Sequence, residues 1–360
     1  MTSETTAVPG EGARAGPILV TGAGGFLGAN LVWALREQGL AVRALVRRPP
    51  VGPQWQGIAG VEFMYGDVCD PAAVARAMKG IGYVIHAAGL IESVPRPAAR
   101  AFRVNVEGTR LVCAAALAAG VRRLVYTSSA STVARGTAEM PATEETPYNL
   151  GGIRAPYYAS KRQAERVVRE YAARGLDAII LCPSYLLGPR DARPTTNRLL
   201  LYLARSRWPV VPPGGMNILD VREAARAHVR ALWRGRPGER YLLAGPYQAY
   251  AELGAVVQAV LGTNRPVRVL PGWTYWPGSM ALAVATGILP RLPPGLSLPN
   301  FQYGFVPFYV SGARGDQTFD LRHPPVHATV FDTLRWFRQT GLAPWLPASL
   351  RSLAVLKENS

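Results

Sequence analysis

Cysteine is scarce in this chain. Only Cys69, Cys113 and Cys182 occur, with no paired or metal-ligand spacing. That excludes a disulfide scaffold and reads as three reduced thiols, which suits the cytoplasm. Four scattered histidines offer no metal cluster, so no metal is expected. Long apolar runs are lacking as well. The stretch within 278–289, which contains Met280-Ala281-Leu282-Ala283-Val284-Ala285, is too short for a bilayer span of about 20 residues. Carboxylates are few: 23 Asp and Glu stand against 40 Lys and Arg, a formal charge of +17. Such an excess can steer anionic cofactors or substrates, or attract nucleic acid or anionic lipid. No compact basic block and no nucleic-acid motif accompanies it, so no nucleic-acid partner is expected. Residues 1–16 are polar and glycine-rich and read as a disordered tail; they lack the basic start and apolar core of a signal peptide.

What is present is a glycine-rich turn in a telling place. Pro17-Ile18-Leu19-Val20-Thr21 is a short apolar run that reads as a buried strand. Gly22-x-x-Gly25-Phe26-Leu27-Gly28 follows at once, and apolar residues then recur at helical spacing up to Gly39. On such a turn Gly22 takes the tight bend, Gly25 lets the backbone approach a pyrophosphate, and Gly28 lets helix and strand pack closely. The phosphates would meet free N–H groups at the helix start. A second strand over 41–46 ends at Arg47 and Arg48, where a carboxylate would be expected to bind a free ribose 2′-OH. A guanidinium there suits a 2′-phosphate instead, which favours NADP(H) over NAD(H). Further strands are predicted over 61–65, 83–85 and 122–127. The fourth leads to His86-Ala87-Ala88-Gly89, whose small residues leave room for a cofactor; His86 reads as a hydrogen-bonded structural residue rather than a base.

The strand over 122–127 ends in Ser128-Ser129, and Tyr157 then opens a helical stretch to about Arg174. Tyr157 and Lys161 are i and i+4, so they share a helix face. A nearby ammonium and an oxidised nicotinamide would lower the phenol pKa from about 10 toward a useful range. In reduction Tyr157 would protonate the carbonyl oxygen, Ser129 would hold that oxygen, and Lys161 would tune Tyr157 and bind the ribose. Ser128 competes with Ser129 for the oxygen contact. Tyr158 is also present, but the usual spacing to Lys161 selects Tyr157.

These segments resemble the extended short-chain dehydrogenase/reductases over about 17–273. The likeness is carried by the glycine turn, Gly66-Asp67-Val68, Asn105-Val106-Glu107-Gly108-Thr109, Tyr126-Thr127-Ser128-Ser129-Ala130, Tyr157-x-x-Ser160-Lys161, Pro183-Ser184-x-x-x-Gly188-Pro189 and Asp220-Val221-Arg222-Glu223-Ala224-Ala225. Val42-Arg43-Ala44-Leu45-Val46-Arg47 is similar to the dihydroflavonol-reductase-like branch. The whole run also resembles hopanoid-associated sugar epimerases and, more distantly, 3β-hydroxysteroid dehydrogenases. The resemblance implies that Asp67 and Val68 border the adenine, that Ala87 and Ala88 line the cofactor, and that Pro183, Ser184 and Tyr185 face the nicotinamide. It also implies a homodimer through helices around 97–119 and 157–174. Cys182 stands where many relatives carry Arg, Glu223 replaces a common Asp, and beyond about Pro277 the likeness ends. The Thr-Asp-Glu type of motif of sugar-nucleotide dehydratases is absent at Thr127-Ser128-Ser129, which counts against dehydration.

The expected fold is α/β: a Rossmann-type doubly wound parallel sheet over 17–183 and a smaller mixed α/β substrate lobe over 184–360, some of whose segments return to the first domain. The aromatics from Trp273 to Tyr309 and the apolar stretch at Met280 read as a buried helix with aromatic core, or as a hydrophobic substrate pocket or membrane-facing mouth. Prolines 290, 293, 294 and 299 predict irregular loops. The expected function is an NADP-dependent oxidoreductase on a small, apolar carbonyl or alcohol. The alternatives are an NAD-dependent sugar-nucleotide epimerase and a non-catalytic cofactor sensor; Arg47 argues against the first, and the intact Ser129, Tyr157 and Lys161 against the second.

Overall fold

Short β-branched segments alternate with helical ones from Ile18 onward, and the chain winds accordingly. The computed structural model describes residues 16–91, 98–153, 155–288 and 297–352. The expectation of a disordered tail therefore lies, Gly16 apart, outside the described residues, as do prolines 290, 293 and 294. The first half runs β1 (Ile18–Thr21), α1 (Phe26–Glu37), β2 (Val42–Val46), β3 (Val61–Tyr65), α2 (Pro71–Met78) and β4 (Tyr83–His86). Then come α3 (Ala98–Phe102), a π-helical turn over Arg103–Glu107, α4 (Gly108–Ala118), β5 (Arg123–Thr127), α5 (Pro156–Ala173) and β6 (Ala178–Pro183). The second half opens with β7 (Tyr185–Leu187), α6 (Arg198–Arg205), β8 (Val210–Val211), β9 (Gly215–Asp220), α7 (Val221–Arg230) and β10 (Arg240–Leu243). It continues through β11 (Tyr247–Ala249), α8 (Tyr250–Leu261), β12 (Arg268–Val269), α9 (Tyr275–Ile288), α10 (Leu298–Gly304), β13 (Pro307–Phe308), α11 (Ala313–Phe319) and α12 (Val326–Gln339).

Seven parallel strands form the main sheet in the order β10-β6-β5-β4-β1-β2-β3. Successive strands run outward from β1 on one side and from β4 on the other, so the winding reverses between them. In open sheets of this kind a crevice forms there, beyond the carboxyl ends of the strands. Side chains alternate between the two faces. Leu19, Val84, Leu124 and Ile180 share one core with Val112 and Val167 of α4 and α5. Val20, Ile85, Val125 and Ile179 share the other with Leu31, Leu35 and Val229 of α1 and α7. Burying apolar side chains on both faces explains why these strands read as unbroken apolar runs.

The second half does not stand apart from the first. β10 completes the main sheet beside β6, and α7 packs on α1. Its own small sheet is built around β9, which pairs with β7, β11 and β13, while α8 packs on α6 and α12. Two expectations need correction. Pro299 lies in the first turn of α10, where its missing N–H costs nothing and Ser297 caps the helix. The stretch at Met280 is helical, but only one side is buried: Ser279 and Leu282 face inward, whereas Met280 and Val284 are exposed.

Candidate active site

The carboxyl ends of the strands bring the glycine turn and the residues after β2, β3 and β4 together. Gly22 has φ +69°, and a Cβ there would lie 2.6 Å from the Ala88 backbone. A Cβ on Gly28 would lie 2.1 Å from the Gly22 carbonyl oxygen. Only glycine permits this approach of helix and turn. Gly25 caps α1 without a side chain, no acidic residue occupies its first turn, and Phe26 and Leu27 open the helix. The helix start therefore presents unpaired N–H groups and the positive end of its dipole to the crevice. Ala87 and Ala88 follow β4 and are tied to Thr21, Ala88 N–H donating to Thr21 Oγ1 at 3.3 Å. A backbone cradle of this shape, free of carboxylates, fits a dinucleotide pyrophosphate.

Arg47 and Arg48 directly follow β2 and are exposed. Arg47 lies 4.0 Å from Asp67, whose carboxylate also accepts the Cys69 N–H at 3.0 Å. Val68 is buried against Gly108. Arg193, in the loop after β7, donates to the Gly24 carbonyl at 3.2 Å. It adds a cation to the glycine turn, and nothing in its local sequence announces that.

At the end of β5 the two serines meet different partners. Ser128 Oγ donates to the buried Glu165 carboxylate at 2.5 Å, which also accepts from Thr132 and from Arg169. Ser129 instead caps the short turn Ala130–Thr132, pairs with Ser131 Oγ at 2.9 Å, and stands near enough to Tyr157 to lower its pKa. Tyr157 stands in the first turn of α5, behind Pro156. Lys161, one turn on and buried, donates to the Thr127 carbonyl at 2.7 Å and the Tyr126 hydroxyl at 3.4 Å. Burial pushes its pKa down to about 8, with Glu165 opposing.

Burial raises the Tyr157 pKa, and Ser129 opposes this. The Lys161 ammonium is directed to the Thr127 carbonyl, which offsets its own loss of water.

Asn105, in the π-helical turn, holds the arrangement together. It exchanges hydrogen bonds with both backbone groups of Leu90 and donates to Ser160 Oγ at 2.9 Å; Ser160 in turn donates to the Tyr157 carbonyl. A π turn inside helices marks functional sites often enough to be a signal, but it is invisible to periodicity. His86 is a structural residue. Thr109 spends its proton on the Asn105 carbonyl, so His86 Nε2–H donates to Thr109 Oγ1, while Nδ1 accepts from Thr21. Burial lowers its pKa to about 3, with the Lys161 charge adding to the effect.

Pro183 ends β6, Ser184 follows, and Tyr185 opens β7 at the same edge of the sheet. Ser184 Oγ is buried without a hydrogen-bond partner, an orphan that a carboxamide could satisfy. Aromatic rings stand beside Tyr157. Tyr158 lies 6.0 Å from Tyr157 and 6.1 Å from Tyr303 of α10, centroid to centroid. Tyr185 and Tyr250 are close enough to raise the Tyr303 pKa further, on top of its burial.

A doubly wound sheet, a glycine cradle at its switch point and a Ser-Tyr-Lys group beside it define a dinucleotide-dependent enzyme acting on a carbonyl or carbinol carbon. Residues 18–244 match the model of the NAD dependent epimerase/dehydratase family, and the chain belongs to that family of extended short-chain dehydrogenase/reductases. Its members are NAD(P)-dependent oxidoreductases, reductases and dehydrogenases among them. Sterol demethylase protein B of Methylococcus capsulatus is 33% identical over 348 residues, covering 90% of this chain and 99% of that protein. A 3 beta-hydroxysteroid dehydrogenase/Delta 5-->4-isomerase of Mycobacterium tuberculosis is 34% identical over 223 residues, 59% of this chain and 55% of that one. Among solved structures, PA4631, a nucleoside-diphosphate-sugar epimerase from Pseudomonas aeruginosa, superposes with a TM-score of 0.71 at 27% identity, covering 90% of this chain and 98% of its own.

Proposed function

We propose that the protein is an NADP(H)-dependent oxidoreductase that interconverts a ketone and a secondary alcohol on an apolar small molecule. The observation that carries this is the grouping of Ser129 at the end of β5 with Tyr157 and Lys161 one turn apart on α5, beside the rings of Tyr158 and Tyr303. Bound cofactor supplies a hydride to the carbonyl carbon. Ser129 Oγ holds the carbonyl oxygen, and Tyr157 gives that oxygen its proton. Gly22, Gly25 and Gly28 hold the pyrophosphate, Asp67 and Val68 border the adenine, and Lys161 holds the ribose. Arg47, with Arg48 beside it, meets the 2′-phosphate. Pro183, Ser184 and Tyr185 face the nicotinamide, and the orphaned Ser184 hydroxyl supports that role.

The names of the relatives, a sterol demethylase protein and a hydroxysteroid dehydrogenase, agree with an apolar substrate. In this reading residues 17–183 bind the dinucleotide, residues 184–360 mainly the substrate, and α4 and α5 are the homodimer surface. Free thiols at Cys69, Cys113 and Cys182 support a cytoplasmic setting, with peripheral contact to a membrane. A sugar-nucleotide epimerase is the second reading, favoured by the likeness to PA4631.

Fluorescence titration with NADPH and NADH separates the two. Preferential, readily reversible NADPH binding supports the reductase, and Arg47→Asp should then weaken NADPH much more than NADH. Co-purifying NAD(H) would favour the epimerase, and equal loss for both cofactors would remove Arg47 from the 2′-phosphate.

A further inference from the structure

α9 is a surface helix with no charged residue from Tyr275 to Ile288. Its inner side is accounted for. Gly278 packs directly on Phe301 of α10, and Tyr275 lies 5.5 Å from Phe305, centroid to centroid. Its outer side is apolar too and, among the described residues, is exposed. Trp273 and Trp276 are each 75% exposed, Met280 69% and Ile288 74%. Trp276, Pro277, Met280, Ala281, Val284 and Ile288 recur at helical spacing, so they form one face, and Trp273 lies in the turn just before it. A helix that is apolar all round belongs in a core or in lipid, and an exposed patch of this kind marks an interaction surface.

The charge around it selects the partner. No Asp or Glu occurs between Glu252 and Asp316, nor between Asp191 and Asp220. The two-stranded sheet of β8 and β12 leads through Pro271 into α9, and Arg207 and Trp208 before β8 and Arg268 of β12 make its surroundings basic and aromatic. There the Arg268 guanidinium lies 5.0 Å, and that of Arg207 5.7 Å, from the ring of the exposed Trp208. Two copies joined through this face would bring their arginines together, because a two-fold interface sets a patch against itself. An anionic lipid surface instead meets the arginines with opposite charge and the indoles with an interfacial zone that they favour. The helix has 14 residues, about 21 Å, so it lies in the plane of a membrane rather than across it.

We infer that the α9 face, with Arg207 before β8 and Arg268 of β12, seats the protein on an anionic bilayer. α10, directly behind α9, carries Tyr303 of the aromatic wall. The seated face is thus one helix layer from Tyr157, and an apolar substrate dissolved in the bilayer would have a short way to the site. That last step rests on the proposed reduction; the seating itself does not.

The test is co-sedimentation of the full chain, without substrate, with phosphatidylglycerol/phosphatidylcholine vesicles and with phosphatidylcholine vesicles. Wild type should partition to the anionic vesicles, less so at high salt, with a blue shift of tryptophan emission. Met280→Glu/Val284→Glu should lower the partition about tenfold or more, and Arg207→Glu/Arg268→Glu should abolish the preference for anionic lipid. Unchanged melting temperature and NADPH binding would show that the variants fold. Absent sedimentation, or equal sedimentation of wild type and both variants, overturns the inference. So does a dimer, seen by light scattering, that Met280→Glu/Val284→Glu dissociates without any vesicle binding; the face would then belong to a second copy.

Discussion

Ser128 and Ser129 are adjacent, chemically identical and employed differently. Ser128 helps to neutralise a buried carboxylate, and Ser129 reaches the phenol. Glu165 makes the difference, since a carboxylate taken from water must collect donors, and Ser128 and Thr132 lie nearest. In the proposed reduction Tyr157 would then carry the proton transfer. Tyr157→Phe should cut turnover by roughly 10²–10⁴ with NADPH affinity largely kept, the loss typical of a missing acid. Steady-state kinetics beside a binding titration check this, and near-wild-type turnover would take the role from Tyr157.

At the scale of the element, the turn between β1 and α1 depends on backbone approach rather than on side chains. A Cβ on Gly28 would strike the Gly22 carbonyl, whereas one on Gly24 would meet only Val46 Cγ1, at 3.9 Å. Gly28→Ala should therefore destabilise the fold by about 1–3 kcal/mol, as overpacking does, and weaken dinucleotide binding. Gly24→Ala should leave the fold near wild type. Urea denaturation of the two variants makes the comparison, and equal stability would mean that the turn yields more than its geometry implies.

For the whole molecule, two neutral histidines join helices to the main sheet. His86 lies between Thr21 of β1 and Thr109 of α4. His228 of α7 donates Nδ1–H to the Ala224 carbonyl and accepts from Thr127 of β5 at Nε2. Burial lowers their pKa values to about 3 and about 4 from 6.5. Below pH 6.5 the unfolded chain takes up protons that the folded one refuses. Stability present above pH 6.5 is thus lost as pH falls toward the folded values, by about 2–3 kcal/mol per histidine at pH 4.5. Urea midpoints between pH 7 and 4.5 should fall accordingly, and His228→Gln should flatten the slope. A level wild-type profile would contradict the neutral assignment.

The sequence by itself determined what is local. The strand–glycine–helix turn, the Tyr157/Lys161 pairing on one helix face and the first five strands follow from period, steric freedom at glycine and short-range spacing. Those properties do not depend on distant parts of the chain. Only the tertiary structure decided which serine meets Tyr157, because Glu165 enters from α5. It also decided that Lys161 turns to Thr127, that Arg193 reaches the glycine turn, and that Asn105 ties the loop after β4 to α5. These partners are separated along the chain, and each choice depends on which buried groups must share donors once packing has removed water. The same holds for α9. An apolar helix after Trp273 was legible, but whether its second face is covered depends on neighbours that pattern alone does not supply.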